Sequence, residues 1–115
     1  MKRIGNRIVF GRVIDDETRC KHYYSERDIV AIRFRCCGKY YPCYLCHNES
    51  ENHQIRVWKR EEFDAKAILC GSCKQELSIN EYLHAPRCPY CKAAFNPGCS
   101  LHYHLYFDVE KKTKK

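Results

Sequence analysis

Between Cys36 and His53 the chain carries Cys36, Cys37, Cys43, Cys46, His47 and His53, four thiols and two imidazoles. Six such donors exceed the four that a tetrahedral zinc ion takes, so they must be shared between two ions that borrow their missing ligands from elsewhere. Cys43-Tyr44-Leu45-Cys46 is a C-x2-C knuckle, short enough for two sulfurs and the intervening backbone N–H groups to wrap one ion. His47 follows the knuckle at once and should point away from the ion that the knuckle holds, with His53 as its natural partner. Upstream, Cys20-Lys21-His22 is half a site in search of its other half. The sets that follow are Cys20, His22, Cys43 and Cys46 for one zinc and Cys36, Cys37, His47 and His53 for a second, interleaved along the chain. The spacing leaves other pairings among these eight open.

Cys70-Gly71-Ser72-Cys73 and Cys88-Pro89-Tyr90-Cys91 are two further knuckles, at a separation close to that of four-cysteine zinc sites, and one ion held by four thiolates is the expected product. His84, in the insert between them, has no nearby cysteine and reads as a surface histidine. Cys99, His102 and His104 bring three donors together without an evident fourth. Two readings of them stand, an additional zinc with an open position and a hydrogen-bonded end of the sheet.

Ten cysteines also raise the question of disulfides. Nothing near the N-terminus reads as a signal peptide and no stretch is apolar enough to span a membrane, so a reducing compartment, the cytoplasm, is the expectation. Cys36 and Cys37 are neighbours, with α-carbons about 3.8 Å apart, below the roughly 4.4 Å that an ordinary disulfide needs. Five of the six histidines lie in or beside cysteine clusters, which metal chemistry requires and a disulfide framework does not.

The elements that position these groups must be short. Ile, Leu, Val and Phe make up only 24 of 115 residues, little above the roughly 20% below which chains tend to stay unfolded. A small metal-stabilised domain is expected, with short β-strands, zinc knuckles and at most one or two short helices around about three zinc ions. Residues 1–19 read as an N-terminal arm with one short strand around Ile8–Ile14, residues 20–107 as the zinc domain, and residues 108–115 as a basic C-terminal tail. Residues 28–35 form the clearest strand, with Ile32 and Phe34 on one face, Arg33 and Arg35 on the other, and Cys36 and Cys37 at its end. Ile55, Val57 and Trp58 suggest a short strand, Trp58 itself being core. Ser78-Ile79-Asn80-Glu81 fits a capping box opening a short helix. His102 and His104 are placed in a strand, on one face. Tyr40, Tyr41 and Tyr44 read as apolar covers for the metal sites.

The formal charge of +7 falls to about +4 once bound thiolates are counted. With acidic residues in every segment and no recognition helix, nucleic-acid binding is the weaker alternative. Catalysis by a hydrolytic zinc lacks a convincing general base.

The order Cys20-x-His22-Tyr23, Cys36-Cys37, Cys43-x2-Cys46-His47, His53, Cys70-x2-Cys73 and Cys88-x2-Cys91 resembles the CHY zinc finger. The resemblance covers residues 20 to about 107. It implies three zinc ions. The module occurs at the N-terminus of some RING ubiquitin ligases and alone in small proteins, and this chain looks like the stand-alone branch, with no second array after residue 104 to build a RING. That branch implies a non-enzymatic, zinc-handling or chaperone-like factor that binds a protein partner. It also implies the mitochondrial intermembrane space as the alternative compartment.

Overall fold

Strands β3 (Val30–Arg33) and β5 (Lys66–Cys70) pair antiparallel at the centre of the structure, a computed structural model that describes residues 1–96 and 102–109. Their register sets Ile32 opposite Ile68, Ala31 opposite Leu69 and Val30 opposite Cys70. β4 (Tyr40–Tyr41) flanks β3 and β6 (Glu76–Ser78) flanks β5. Beyond β4 lies a hairpin of β1 (Lys2–Ile4) and β2 (Arg7–Val9), turned at Gly5 with φ +61°. The strand order is β1-β2-β4-β3-β5-β6. The arm expected over residues 1–19 thus contributes two strands to the sheet. The second of them takes in Ile8 and Val9 of the expected Ile8–Ile14 segment, whose Val13 makes only an isolated bridge to Cys20.

Successive side chains of a strand point to opposite faces, and here both faces are covered. Ile32, Phe34, Tyr41, Ile68 and Leu77 pack with Phe63, Tyr82 and Phe107 on one side. Ile4, Val9, Ala31, Tyr40 and Leu69 form a second cluster on the other. Four consecutive residues of β5, Ala67 to Cys70, are therefore buried. Tyr40 belongs to this second cluster and is not a cover for a metal site. The sheet is strongly curled: Glu76 of β6 accepts from Arg7 Nε at 2.9 Å and from the Tyr40 hydroxyl at 2.7 Å, reaching over two intervening strands to β4 and over three to β2.

Two short helices complete the frame, α1 (Tyr44–Ser50) and α2 (Ile79–Leu83). The capping box at Ser78 is formed, with Ser78 Oγ accepting from Glu81 N at 3.1 Å and Glu81 Oε1 accepting from Ser78 N at 2.8 Å. The charged stretch after Trp58 holds a 3-10 turn at Arg60–Glu62. Ile55 and Val57 form no strand, and Trp58 alone bridges to Phe107.

The strand expected to carry His102 and His104 does not form. Residues 102–105 are a turn of 3-10 helix. Tyr103 O accepts from both Tyr106 N and Phe107 N, at 3.0 and 2.8 Å. The apolar spacing i, i+3, i+4 at Tyr103, Tyr106 and Phe107 prevails over the alternation of Leu101 through Leu105, because it sends Tyr106 and Phe107 into the core. No helix among the described residues is long and apolar enough to cross a membrane.

Candidate metal centres

The fold gathers twelve cysteine and histidine side chains into three sets of four, each with its ligand atoms within 4.8 Å of one another. Cys20 and His22 sit on the loop that follows the Val13–Cys20 bridge, and Cys43 and Cys46 open α1. Cys43 is the N-cap of that helix, its sulfur accepting from Cys46 N. Cys46 and His47 are consecutive on α1, about 100° apart around its axis. They accordingly serve different sets, His47 meeting Cys36 and Cys37 from the β3–β4 turn and His53 from the loop after the helix. The third set joins Cys70 and Cys73, between β5 and β6, with Cys88 and Cys91 beyond α2. Both knuckles of this set are closed by the first cysteine's backbone, Cys70 N to Gln75 O and Cys88 N to Ala93 O. Lys74 and Lys92 occupy left-handed backbone positions in them, each at φ +67°.

The spacing of the donor atoms tests whether zinc fits. Bond lengths of about 2.3 Å to sulfur and 2.0–2.1 Å to nitrogen give tetrahedral edges of about 3.8 Å between sulfurs, 3.5 Å from sulfur to nitrogen and 3.3 Å between nitrogens. In the first set Cys20 Sγ is 3.7 Å from Cys43 Sγ, and His22 Nδ1 lies 3.8, 3.6 and 3.4 Å from the sulfurs of Cys20, Cys43 and Cys46. In the second, His47 Nε2 is 3.3 Å from both Cys36 Sγ and His53 Nε2. In the third, Cys70 and Cys91 are 3.8 Å apart and Cys73 and Cys88 3.7 Å. These are the edges of tetrahedra sized for zinc.

Charge leads to the same fit. In the bare first set, hydrogen bonding with Cys43 and Cys46 pulls the Cys20 thiol far down, while the same contacts push Cys43 and Cys46 up. Only one of the three sulfurs ionises readily unless a cation sits among them. Burial likewise pushes Cys70 up.

The histidines of the first two sets are oriented from behind. His22 Nε2–H donates to Glu49 Oε2 at 2.9 Å, and Glu49 also accepts from Arg12 Nε at 3.0 Å. The hydrogen bond to Glu49 raises His22 above its ordinary 6.5. His47 Nδ1 is 3.0 Å from Asn48 Oδ1, and the ring is stacked on Phe34 at 4.4 Å and met edge-on by Tyr41. Such outer partners fix which ring nitrogen faces the ion, and their loss typically weakens metal binding about 10–100-fold. Glu49→Gln should therefore weaken zinc at the first set by about tenfold or more, read by competition with a chelator of known affinity. An unchanged affinity would show that Glu49 does not orient His22. Neither Glu49 nor Asn48 was found from sequence, although Glu49 stands three residues after Cys46, one helical turn on.

Backbone also approaches the first set closely. At Gly11, with φ +93°, an added Cβ would lie 2.7 Å from Cys46 Cβ. His84 is exposed, its Nδ1 bonded to Asn80 O at 2.8 Å. His102 packs its ring against Tyr23 and Tyr44, and His104 buries Nδ1 without a hydrogen bond. Neither joins a set of three or more donors among the described residues, and Cys99 lies outside those residues.

A curled sheet whose loops and helix ends deliver three Cys/His tetrads defines a small metal-stabilised domain. The CHY zinc finger model matches residues 20–82. The chain is 42% identical over 103 residues to Helper of Tim protein 13 of Saccharomyces cerevisiae, covering 86% of this chain and 89% of that one. It is 40% identical over 99 residues to Helper of Tim protein 13 of Kluyveromyces lactis, covering 86% and 87%. An uncharacterised protein of Schizosaccharomyces pombe matches at 41% over 100 residues, covering 87% and 88%. The chain belongs to the CHY zinc-finger family and is a zinc-binding protein.

Proposed function

We propose that this protein is a non-enzymatic zinc-handling factor that binds a protein partner, with zinc held at Cys20/His22/Cys43/Cys46, at Cys36/Cys37/His47/His53 and at Cys70/Cys73/Cys88/Cys91. The observation that carries the ligand assignment is the tetrahedral spacing of the donor atoms. The partner assignment rests on the likeness to Helper of Tim proteins across nearly the whole chain, which makes a Tim protein, or a thiol protein that works with one, the partner to test first. The same likeness favours the mitochondrial intermembrane space over the cytoplasm as the compartment. Nucleic-acid binding is less well supported, because Arg7, Arg12, Arg19, Arg35, Lys39 and Lys66 are each paired with a carboxylate. Zinc bound by these tetrads supplies structure and a store of exchangeable metal.

Native mass spectrometry of the purified protein, followed by pull-down with a Tim protein, tests this reading. Three zinc ions and a zinc-dependent complex are expected. A fourth ion would place one at Cys99, His102 and His104. Fewer than three ions would break the ligand assignment, and a complex that forms equally well without zinc would remove the zinc-handling role.

A further inference from the structure

We infer that the Cys36/Cys37/His47/His53 tetrad is the exchangeable one and that His53 is the ligand that gives way; this rests on the zinc-handling reading above. The three tetrads differ in how their members are held. In the first, Cys20, Cys43 and Cys46 are buried, and His22 has only 15% of its side chain exposed. The backbone around His22 is tied on both sides, Cys20 N to Tyr23 O at 2.9 Å and Lys21 N to Arg12 O at 3.0 Å, and its ring is bonded to Glu49. In the third, Cys70 and Cys88 are fully buried, and each knuckle is closed by backbone hydrogen bonds on both strands of its turn.

The middle tetrad has one buried member, His47, with Cys36 and Cys37 half-buried. His53 has 35% of its side chain exposed, and its Nδ1 stands 3.7 Å from Glu51, beyond hydrogen-bond reach. Glu51 N bonds to His47 O at the end of α1, and the next backbone tie is Trp58 N to Tyr106 O. Among the described residues no hydrogen bond holds the backbone of residues 52–57. His53 is thus a neutral ligand on an untied, solvent-facing loop, set opposite His47, which is clamped between Phe34 and Tyr41.

Zinc sites accept a fifth ligand transiently, so exchange can proceed by addition before loss. A thiol of the partner gives its proton to solvent, and its sulfur takes the position that His53 Nε2 leaves. One bond to nitrogen breaks, one bond to sulfur forms, His53 departs as neutral imidazole, and nothing is oxidised or reduced. The partner's second thiol then passes its proton to one of the half-buried sulfurs, Cys36 or Cys37, and its sulfur takes that position, so that the ion would be shared by two partner thiolates, His47 and the remaining cysteine. The chemical class of partner is a dithiol, since two incoming sulfurs replace one imidazole and one thiolate.

The test follows zinc leaving the fully loaded chain, first into 4-(2-pyridylazo)resorcinol and then to a metal-free C-x2-C dithiol peptide. One ion should leave in a fast phase and two slowly, and His53→Cys, which supplies a stronger ligand at the same place, should abolish the fast phase so that all three ions leave slowly. In the wild-type chain, ring-nitrogen NMR should show His47 and His53 shifting as the first ion leaves while His22 is unchanged. A fast phase untouched by His53→Cys, or a His22 signal that changes first, overturns the inference. If the variant does not fold, the wild-type ring signals alone decide. The two arms separate the failures: a fast ion that reaches the chelator but never the peptide refutes the zinc-handling reading, whereas transfer to the peptide at equal rates from wild type and His53→Cys refutes the role of His53.

Discussion

Excess strong chelator at neutral pH unfolds this domain outright. Each structural zinc contributes an apparent ~10–16 kcal/mol in small zinc domains, and the net stability of a whole domain is only about 5–15 kcal/mol. Without the ions the buried sulfurs must be reprotonated, and the loops they tie lose the cross-links that the ions supply; the nine described cysteines form no disulfide among themselves. The near-UV circular dichroism of the packed tyrosines and Trp58 should collapse as zinc leaves, and should return when zinc is restored under reducing conditions. A native near-UV spectrum in a sample shown to hold no metal would sink the idea.

Acid should act in the same way, and the carboxylates tell where. The His22 hydrogen bond holds Glu49 below its ordinary 4.5, and the Tyr41 and Lys39 hydrogen bonds do so for Glu51. Burial raises Glu76, but hydrogen bonds from Tyr40 and Arg7 outweigh it and bring it below 4.5 as well. Groups with lowered folded values contribute stability that is complete above their ordinary value and lost only as pH falls through the folded one. Unfolding with zinc release between about pH 6 and 4.5 would therefore come from protonation of ligands, before these carboxylates titrate.

The chemistry of this chain was more legible than its fold, for a physical reason. Metal tetrads are recorded in local spacing: a C-x2-C knuckle must place two sulfurs on one side, and His47, one position beyond Cys46 on α1, must face elsewhere. The three sets grouped by spacing are the three the fold brings together. The Asp28–Arg35 strand and the Ser78–Glu81 box were legible too, each being a pattern within eight residues. The sheet was not, because strands of two to five residues, such as Tyr40–Tyr41 and Glu76–Ser78, are too short to show alternation. Glu76 joins β6 to β4 and β2 by contacts 36 and 69 residues apart in sequence, which no local pattern encodes. The turn at residues 102–105 misled because Leu-His-Tyr-His-Leu alternates like a strand, while the packing that decides its form runs through Tyr103, Tyr106 and Phe107.

The metal sites and the sheet meet most directly at Cys70, which is both a β5 residue paired with Val30 and a member of the third tetrad, and which is completely buried. Gly71 beside it donates to Ile29 O at 2.6 Å and leaves no room for a side chain, an added Cβ lying 2.2 Å from Glu17 O. The strand end and the knuckle are thus one rigid piece. Cys70→Ser should eject the ion of the third tetrad and lower stability by about 5 kcal/mol or more, shifting the melting temperature by at least about 20 °C. Ser72→Ala, exposed in the same knuckle, should stay within about 0.5 kcal/mol of wild type. Because the ion is lost at the first substitution, adding Cys88→Ser should cost little more, and the double variant should melt within a few degrees of the single one. Additive losses in that cycle would mean that the two sulfurs act independently, as core side chains and not as ligands of one ion.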